Sequence, residues 1–233
     1  MTTTDWDAYA GTYRQLVDES TVPPLLAGVM SAATGTMIDV GCGDGILLDL
    51  VRGSFGDSWG IQGFEISAAR ADIARARGHE VLVDERGDVP AAAGAFDLVT
   101  STHVIEHAPD DAAYAAELAR LVRPGGLVYV ETPVKMRGAW YFRRNPEAGW
   151  VLDPTHVREY RSAGAVNAVL RSAGLEILAE DLTPVKFPLA AAELLVRRLA
   201  RLPQPTGART GLGAVGVPIP RYRQQAVLAR RPS

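Results

Sequence analysis

Short apolar runs of strand length alternate along this chain with stretches whose apolar residues recur every three or four positions. Met37–Val40, Ser58–Phe64, Glu80–Val83, Phe96–Ser101 and Leu127–Glu131 read as strands. Between them, Ile46–Val51 opens a helix, and Ser67 caps a second that runs to Arg77 and stops at Gly78. A third runs from about Asp110 to Val122, where Arg123-Pro124-Gly125-Gly126 breaks it. Strand and helix in alternation predict an α/β domain on a mainly parallel sheet.

The stretch from Thr132 to Tyr160 lacks either period and reads as a long irregular loop, with Trp140, Tyr141, Phe142 and Trp150 among basic residues. Loops at strand C-terminal ends in such sheets carry specificity. A helix near Ser162–Ser172 and a strand near Leu175–Asp181 follow. Leu189–Leu202 has an amphipathic period with basic residues on one side, Pro203–Pro220 reads as a loop, and Tyr222–Ala229 as the last strand. At the other end, Trp6, Tyr9 and Tyr13 sit at i, i+3, i+7 and stripe one face of a helix. With no repeat and no linker, a single domain is expected. Its parts are an N-terminal helical region (1–34), a ligand-binding core (35–132) and an acceptor-side remainder (133–233).

Composition narrows the class. The 233 residues are 47% hydrophobic and 22% charged, ordinary for a water-soluble domain. No apolar run approaches the ~18 residues of a membrane span. The N-terminus lacks the basic-then-apolar pattern of a signal peptide, so the cytoplasm is the expected location. A single cysteine, Cys42, excludes an intrachain disulfide and a cysteine-based zinc site. Charge is uneven: no acidic residue follows Glu193, while eight arginines do. The preceding stretch, which holds all 27 acids, is strongly acidic. A basic C-terminal segment docked on an acidic body is the simplest account.

The chemistry starts at Ile38-Asp39-Val40-Gly41-Cys42-Gly43-Asp44-Gly45, a glycine-rich strand-to-helix turn. Missing side chains let a ligand approach the backbone, and amides at the helix entrance become available. About 20 residues on, Glu65 ends the second strand, where a carboxylate can accept from both hydroxyls of an adenosine ribose. A dinucleotide turn of G-x-G-x-x-G type would need its third glycine at position 46, which is Ile46.

The G-x-G-x-G spacing after Asp39 resembles that of class I S-adenosylmethionine-dependent methyltransferases, and the likeness continues over about residues 6 to 180. Gly63-Phe64-Glu65-Ile66-Ser67 resembles their ribose-binding segment, and Asp84 stands where the family places an acid near adenine. Phe96-Asp97-Leu98-Val99, the run Thr102-His103-Val104-Ile105-Glu106-His107 and Leu121-Val122-Arg123-Pro124-Gly125-Gly126 match later stations in order. The resemblance implies a Rossmann-like fold with a seven-stranded, mostly parallel sheet, helices on both faces and an N-terminal lid helix. It implies S-adenosylmethionine as cofactor and S-adenosylhomocysteine as product. It also implies cofactor contacts from Asp39, Gly41, Cys42, Gly43, Gly45, Glu65, Ile66, Asp84, Thr102, His103 and the lid residue Tyr13. Cys42 itself reads as a small packing residue, with nothing basic placed to activate it.

A sulfonium methyl is already activated, so positioning supplies much of the catalysis, and a base is needed for a hydroxyl or a protonated amine. His156, in Asp153-Pro154-Thr155-His156-Val157-Arg158-Glu159-Tyr160, is a candidate base or a loop anchor, and His107 a substrate-side polar group. His103, Glu106 and His107 sit at i, i+3, i+4, similar to a Glu-x-x-Glu-His metal motif of ubiquinone-pathway and small-RNA O-methyltransferases. The first position here is histidine, and no metal is expected. Lys135, Arg137, Arg143 and Arg144, interleaved with Trp140, Tyr141 and Phe142, suit an anionic or aromatic acceptor. The expected activity is methyl transfer to oxygen or nitrogen of a small molecule, in a biosynthetic or tailoring role. The alternatives are a metal-assisted RNA 2′-O-methyltransferase, disfavoured by the acidic body, and a non-catalytic cofactor-binding interaction domain. An oligomer is compatible with all three.

Overall fold

A computed structural model describes residues 21–139, 143–145, 149–153, 155–188 and 216–233. Helix α1 (Pro24–Ala32) leads into β1 (Gly35–Val40), α2 (Ile46–Phe55) and β2 (Trp59–Glu65). Then come α3 (Ala68–Ala76), β3 (Val81–Val83), β4 (Phe96–Thr102), α4 (Asp111–Leu121) and β5 (Val122–Lys135). A small ribbon, β6 (Arg143–Asn145) with β7 (Gly149–Val151), precedes α5 (Ala163–Ser172), β8 (Glu176–Pro188) and β9 (Gly216–Arg230). No helix among the described residues is long and apolar enough to cross a membrane.

The main sheet has seven strands in the order β3-β2-β1-β4-β5-β9-β8. β1 to β5 run parallel, whereas β9 is antiparallel to both β5 and β8. Strand order reverses between β1 and β4, which opens a crevice at their C-terminal ends. Helix starts follow local chemistry: the Ser67, Asp110 and Ser162 side chains accept from Arg70, Ala113 and Ala165 amides.

Period-two alternation builds a core on each face. Ile38, Val99, Val128 and Val130 pack with Leu118, Leu121, Val166 and Leu170 of α4 and α5. Their chain neighbours Met37, Leu98 and Tyr129 face the other way, onto Leu26 and Met30 of α1 and Leu47, Leu48 and Val51 of α2.

Three expectations change. The Arg123–Gly126 breaker is absorbed into β5 through a register shift opposite Phe96 and Leu98. The segment after Thr132 is less irregular than its composition suggests, because β5 continues to Lys135 and the β6–β7 ribbon forms. Residues 216–220 belong to β9 instead of a loop, and β8 extends well past Asp181. The Trp6–Tyr9–Tyr13 stripe and the Leu189–Leu202 helix lie outside the described residues. Of the C-terminal arginines, Arg230 pairs with Glu176, and Arg231 donates to the Ala119 and Val122 carbonyls at the end of α4.

Candidate active site

The glycine turn follows β1 directly. Gly41 and Cys42 both donate their amides to the Phe64 carbonyl, at 2.7 and 3.0 Å, which fastens the turn to β2. Gly41, Gly43 and Gly45 have φ of 84°, 55° and 81°, a region that side chains disfavour. Space adds a second demand at Gly41: a Cβ there would stand 2.4 Å from Val104 Cγ2. The turn after β4 therefore lies directly against the turn after β1. Gly45 is the N-cap of α2 and brings no side-chain acceptor, so the first-turn amides of that helix face the crevice uncapped.

Glu65 closes the turn. Its Oε2 accepts from the Gly43 amide at 2.8 Å and its Oε1 from the Ser67 amide at 2.9 Å. Each oxygen has a second lone pair, which suits the paired hydroxyls of a ribose. A glycine-lined backbone, an uncapped helix entrance and an anchored carboxylate thus fit the cofactor implied by the resemblance.

Other expected cofactor residues have different surroundings. Asp39 is 1% exposed and accepts the Thr100 hydroxyl at 2.8 Å, bracing β1 against β4 beneath the turn. Tyr114 joins the same strands, bridging Ser101 Oγ at 2.7 Å and the Val40 carbonyl at 3.4 Å. Burial, then the charges of Asp39 and Glu65, push the Cys42 thiol far up, which keeps it unreactive. Ile66 packs beside the α4 face of the sheet. Asp84 is turned onto its own loop, where it accepts the Arg86 amide at 2.8 Å, and that bond holds its carboxyl below the usual range. Tyr13 lies outside the described residues.

Thr102 ends β4, and His103 follows with φ 57°, left-handed despite its side chain. Its amide donates to the Glu131 carbonyl at 2.8 Å, and its ring is partly exposed. His103 Nδ1 stands 3.5 Å from Glu106 Oε1. Glu106 is buried, with Thr132 donating to its Oε2 at 2.9 Å. Burial acts most strongly on this carboxyl and opposes its charge. The His103 contact and the charges of His107, His103 and His156 outweigh burial and hold it at about 2.

His107 and His156 meet ring to ring at 4.8 Å and 75°. His107 Nδ1 faces the Thr155 carbonyl and hydroxyl at 3.2 and 3.1 Å, and burial pushes its pKa below the usual histidine range. His156 is 5% exposed, with Nδ1 3.0 Å from Glu159 Oε1 and Nε2 4.0 Å from Glu106 Oε1. That setting is the one a loop anchor requires. Ligand atoms of Glu106, His107 and His156 lie within 4.8 Å of one another, close enough to share a cation.

Arg158 completes the link between the two acceptor-side loops. Its guanidinium donates to the carbonyls of Ile105, Ala108 and Pro109 and pairs with Asp111. Sequence reasoning placed no role on Arg158, Glu159 or Glu131, although Glu131 ends an apolar run just as Glu65 does.

A family model described as a methyltransferase domain matches residues 14–180. A ubiquinone biosynthesis O-methyltransferase of Thiobacillus denitrificans is 36% identical over 103 residues, 41% of this chain and 43% of that protein. The chain thus spans about half the length of the curated relatives it matches. Among solved structures, a SAM-dependent methyltransferase of Methanosarcina mazei superposes with a TM-score of 0.62 at 13% identity, covering 91% of this chain and 99% of that one. The [4+2]-cyclase SpnF superposes with a TM-score of 0.61 at 20% identity, covering 93% and 85%. At these identities the two structures speak to the fold alone.

Proposed function

This chain belongs to the class I S-adenosylmethionine-dependent methyltransferases, and from that membership we propose that it transfers a methyl group to a hydroxyl of a small-molecule acceptor. The observation that carries the reading is the Glu65 carboxylate, locked to the Gly43 and Ser67 amides beside an uncapped helix entrance. It supports adenosine binding at one side of the β1–β4 crevice and leaves the strand ends of β4 and β5 for the acceptor. The curated relatives named as ubiquinone biosynthesis O-methyltransferases support oxygen as the atom methylated. A catechol is the simplest ring hydroxyl pair with which to try that reading. The bound cofactor supplies a methyl already activated for displacement. The chain's own residues hold donor and acceptor in line and exclude water.

The test has two steps. Titration calorimetry of S-adenosylhomocysteine into the protein is expected to give saturable binding, and folded protein that binds none removes the reading. Catechol and 3,4-dihydroxybenzoate, offered with isotopically labelled methyl donor, are then expected to yield a labelled methyl ether. A superposing [4+2]-cyclase makes this second step necessary, because the fold by itself does not fix the chemistry.

A further inference from the structure

Glu131 occupies a place that neither cofactor binding nor the Glu106 cluster uses. In the sheet register Asp39 lies beside Thr100, Thr100 beside Tyr129, and Thr102 beside Glu131. With a period of two, Tyr129 and Glu131 share the α1–α2 face, the face that carries the Asp39–Thr100 contact below the glycine turn. Thr132, the next residue, goes to the opposite face and serves Glu106. Glu131 is thus the β5 carboxylate that stands beside Thr102, where β4 ends. Its own carbonyl holds the His103 amide, next to the Val104 that crowds Gly41.

Its side chain is also oriented. Tyr129 is fully buried and donates its hydroxyl to Glu131 Oε2 at 2.7 Å, while Glu131 itself is only half-buried. A buried phenol that holds a half-buried carboxylate in one orientation fixes where an incoming donor will be bound. A carboxylate there accepts hydrogen bonds and repels anions.

We propose that Glu131 is the acceptor-binding carboxylate, taking hydrogen bonds from the hydroxyls of a vicinal diol such as a catechol, with Tyr129 as its positioning residue. The proposal rests on the methyl-transfer reading and names the side of the crevice where the acceptor docks. In the transfer, the acceptor oxygen forms a bond to the methyl carbon. The carbon–sulfur bond breaks with its electron pair going to sulfur, and the hydroxyl proton passes to Glu131. Atoms and charge balance: a sulfonium and a carboxylate become a thioether and a carboxylic acid.

The experiment uses protein saturated with S-adenosylhomocysteine, so that cofactor binding is checked in the same sample. Catechol and its dimethyl ether, veratrole, are titrated into wild type, Glu131→Gln and Tyr129→Phe and followed by protein NMR. Catechol is expected to bind the wild type and to bind Glu131→Gln at least tenfold more weakly, with S-adenosylhomocysteine affinity within twofold. Veratrole, which has no hydroxyl to donate, is expected not to bind. Tyr129→Phe is expected to weaken catechol binding to the loaded protein several-fold while leaving S-adenosylhomocysteine affinity unchanged, a split that simple loss of packing would not produce. Equal catechol affinity in wild type and Glu131→Gln, equal binding of veratrole, or no catechol binding to the loaded wild type would each overturn the proposal. Failure to load S-adenosylhomocysteine would instead remove the reading beneath it.

Discussion

Thr132 donates its hydroxyl to Glu106 Oε2 at 2.9 Å, both side chains being buried, and so joins β5 to the turn after β4. The backbone adds a second link, since the Val157 amide donates to the Glu106 carbonyl at 3.1 Å. Glu106 is therefore a junction between three segments.

That junction carries a pH dependence. Glu106 titrates near 2 in the folded chain against an ordinary 4.5, so its contribution is in place above about pH 4.5 and is lost as pH falls toward 2. A shift of that size corresponds to about 3 kcal/mol. His107, pushed below its usual 6.5 by burial, acts in the same direction, because the unfolded chain takes up its proton first. Urea unfolding between pH 7 and 3 is expected to show stability falling throughout. Glu106→Gln should be less stable at pH 7 and flatter toward acid, and parallel curves for the two proteins would contradict the assignment.

Gly41→Ala meets two obstacles at once, a φ of 84° and a methyl 2.4 Å from Val104 Cγ2. The expected loss is about 2–3 kcal/mol. At this chain length that lowers the melting temperature by roughly 4–12 °C. Gly53→Ala, in the last turn of α2 with nothing near its added Cβ, is the control and is expected to be neutral or slightly stabilising. A melting temperature for Gly41→Ala equal to that control would show the turn to be adaptable.

Arg158→Ala removes a guanidinium that serves the Ile105, Ala108 and Pro109 carbonyls and Asp111 together. Stability should drop by about 2–4 kcal/mol, since hydrogen bonds to charged groups are worth about 1.5–3 each and those carbonyls regain water only in part. Arg158→Lys is expected to recover less than half, because one ammonium cannot span the fork. Denaturant midpoints measure both, and a full rescue by lysine would point to charge alone.

Cys42 is buried, and burial together with Asp39 and Glu65 keeps it a thiol. As the only cysteine, it reports opening of the glycine turn without any engineering. Iodoacetamide at pH 8 is expected to leave the folded protein unlabelled over hours and to label it fully in 6 M guanidinium. Rapid labelling of folded protein would mean that the turn opens readily.

The sequence made the parallel half of the sheet legible because β1 to β4 are buried apolar runs bounded by glycines and caps. The outer half was harder to read, and Pro218 and Pro220 show why. Pairing between β5 and β9 stops at Tyr222, so among the described residues the strand over 216–220 pairs with β8 alone, and a missing amide on the other side costs nothing. Read without that topology, the same prolines signal a loop. In the site, Glu65 was legible because it ends a strand about 20 residues after the glycines. Glu131 carries the same signal without a fixed spacing to a motif. The Arg158 clamp had none, for apart from Asp111 its partners are backbone carbonyls, which every sequence contains.

The register of β9 also has a consequence for the order of synthesis. β5 lies between β4 and β9, and its partner Arg230 leaves the ribosome about 100 residues after Leu127. Until then one whole edge of β5 stays unpaired, beside a finished nucleotide-binding half. An open edge of that kind recruits stray strands. The growing chain is therefore most exposed to aggregation in the interval between completing its cofactor half and closing its sheet.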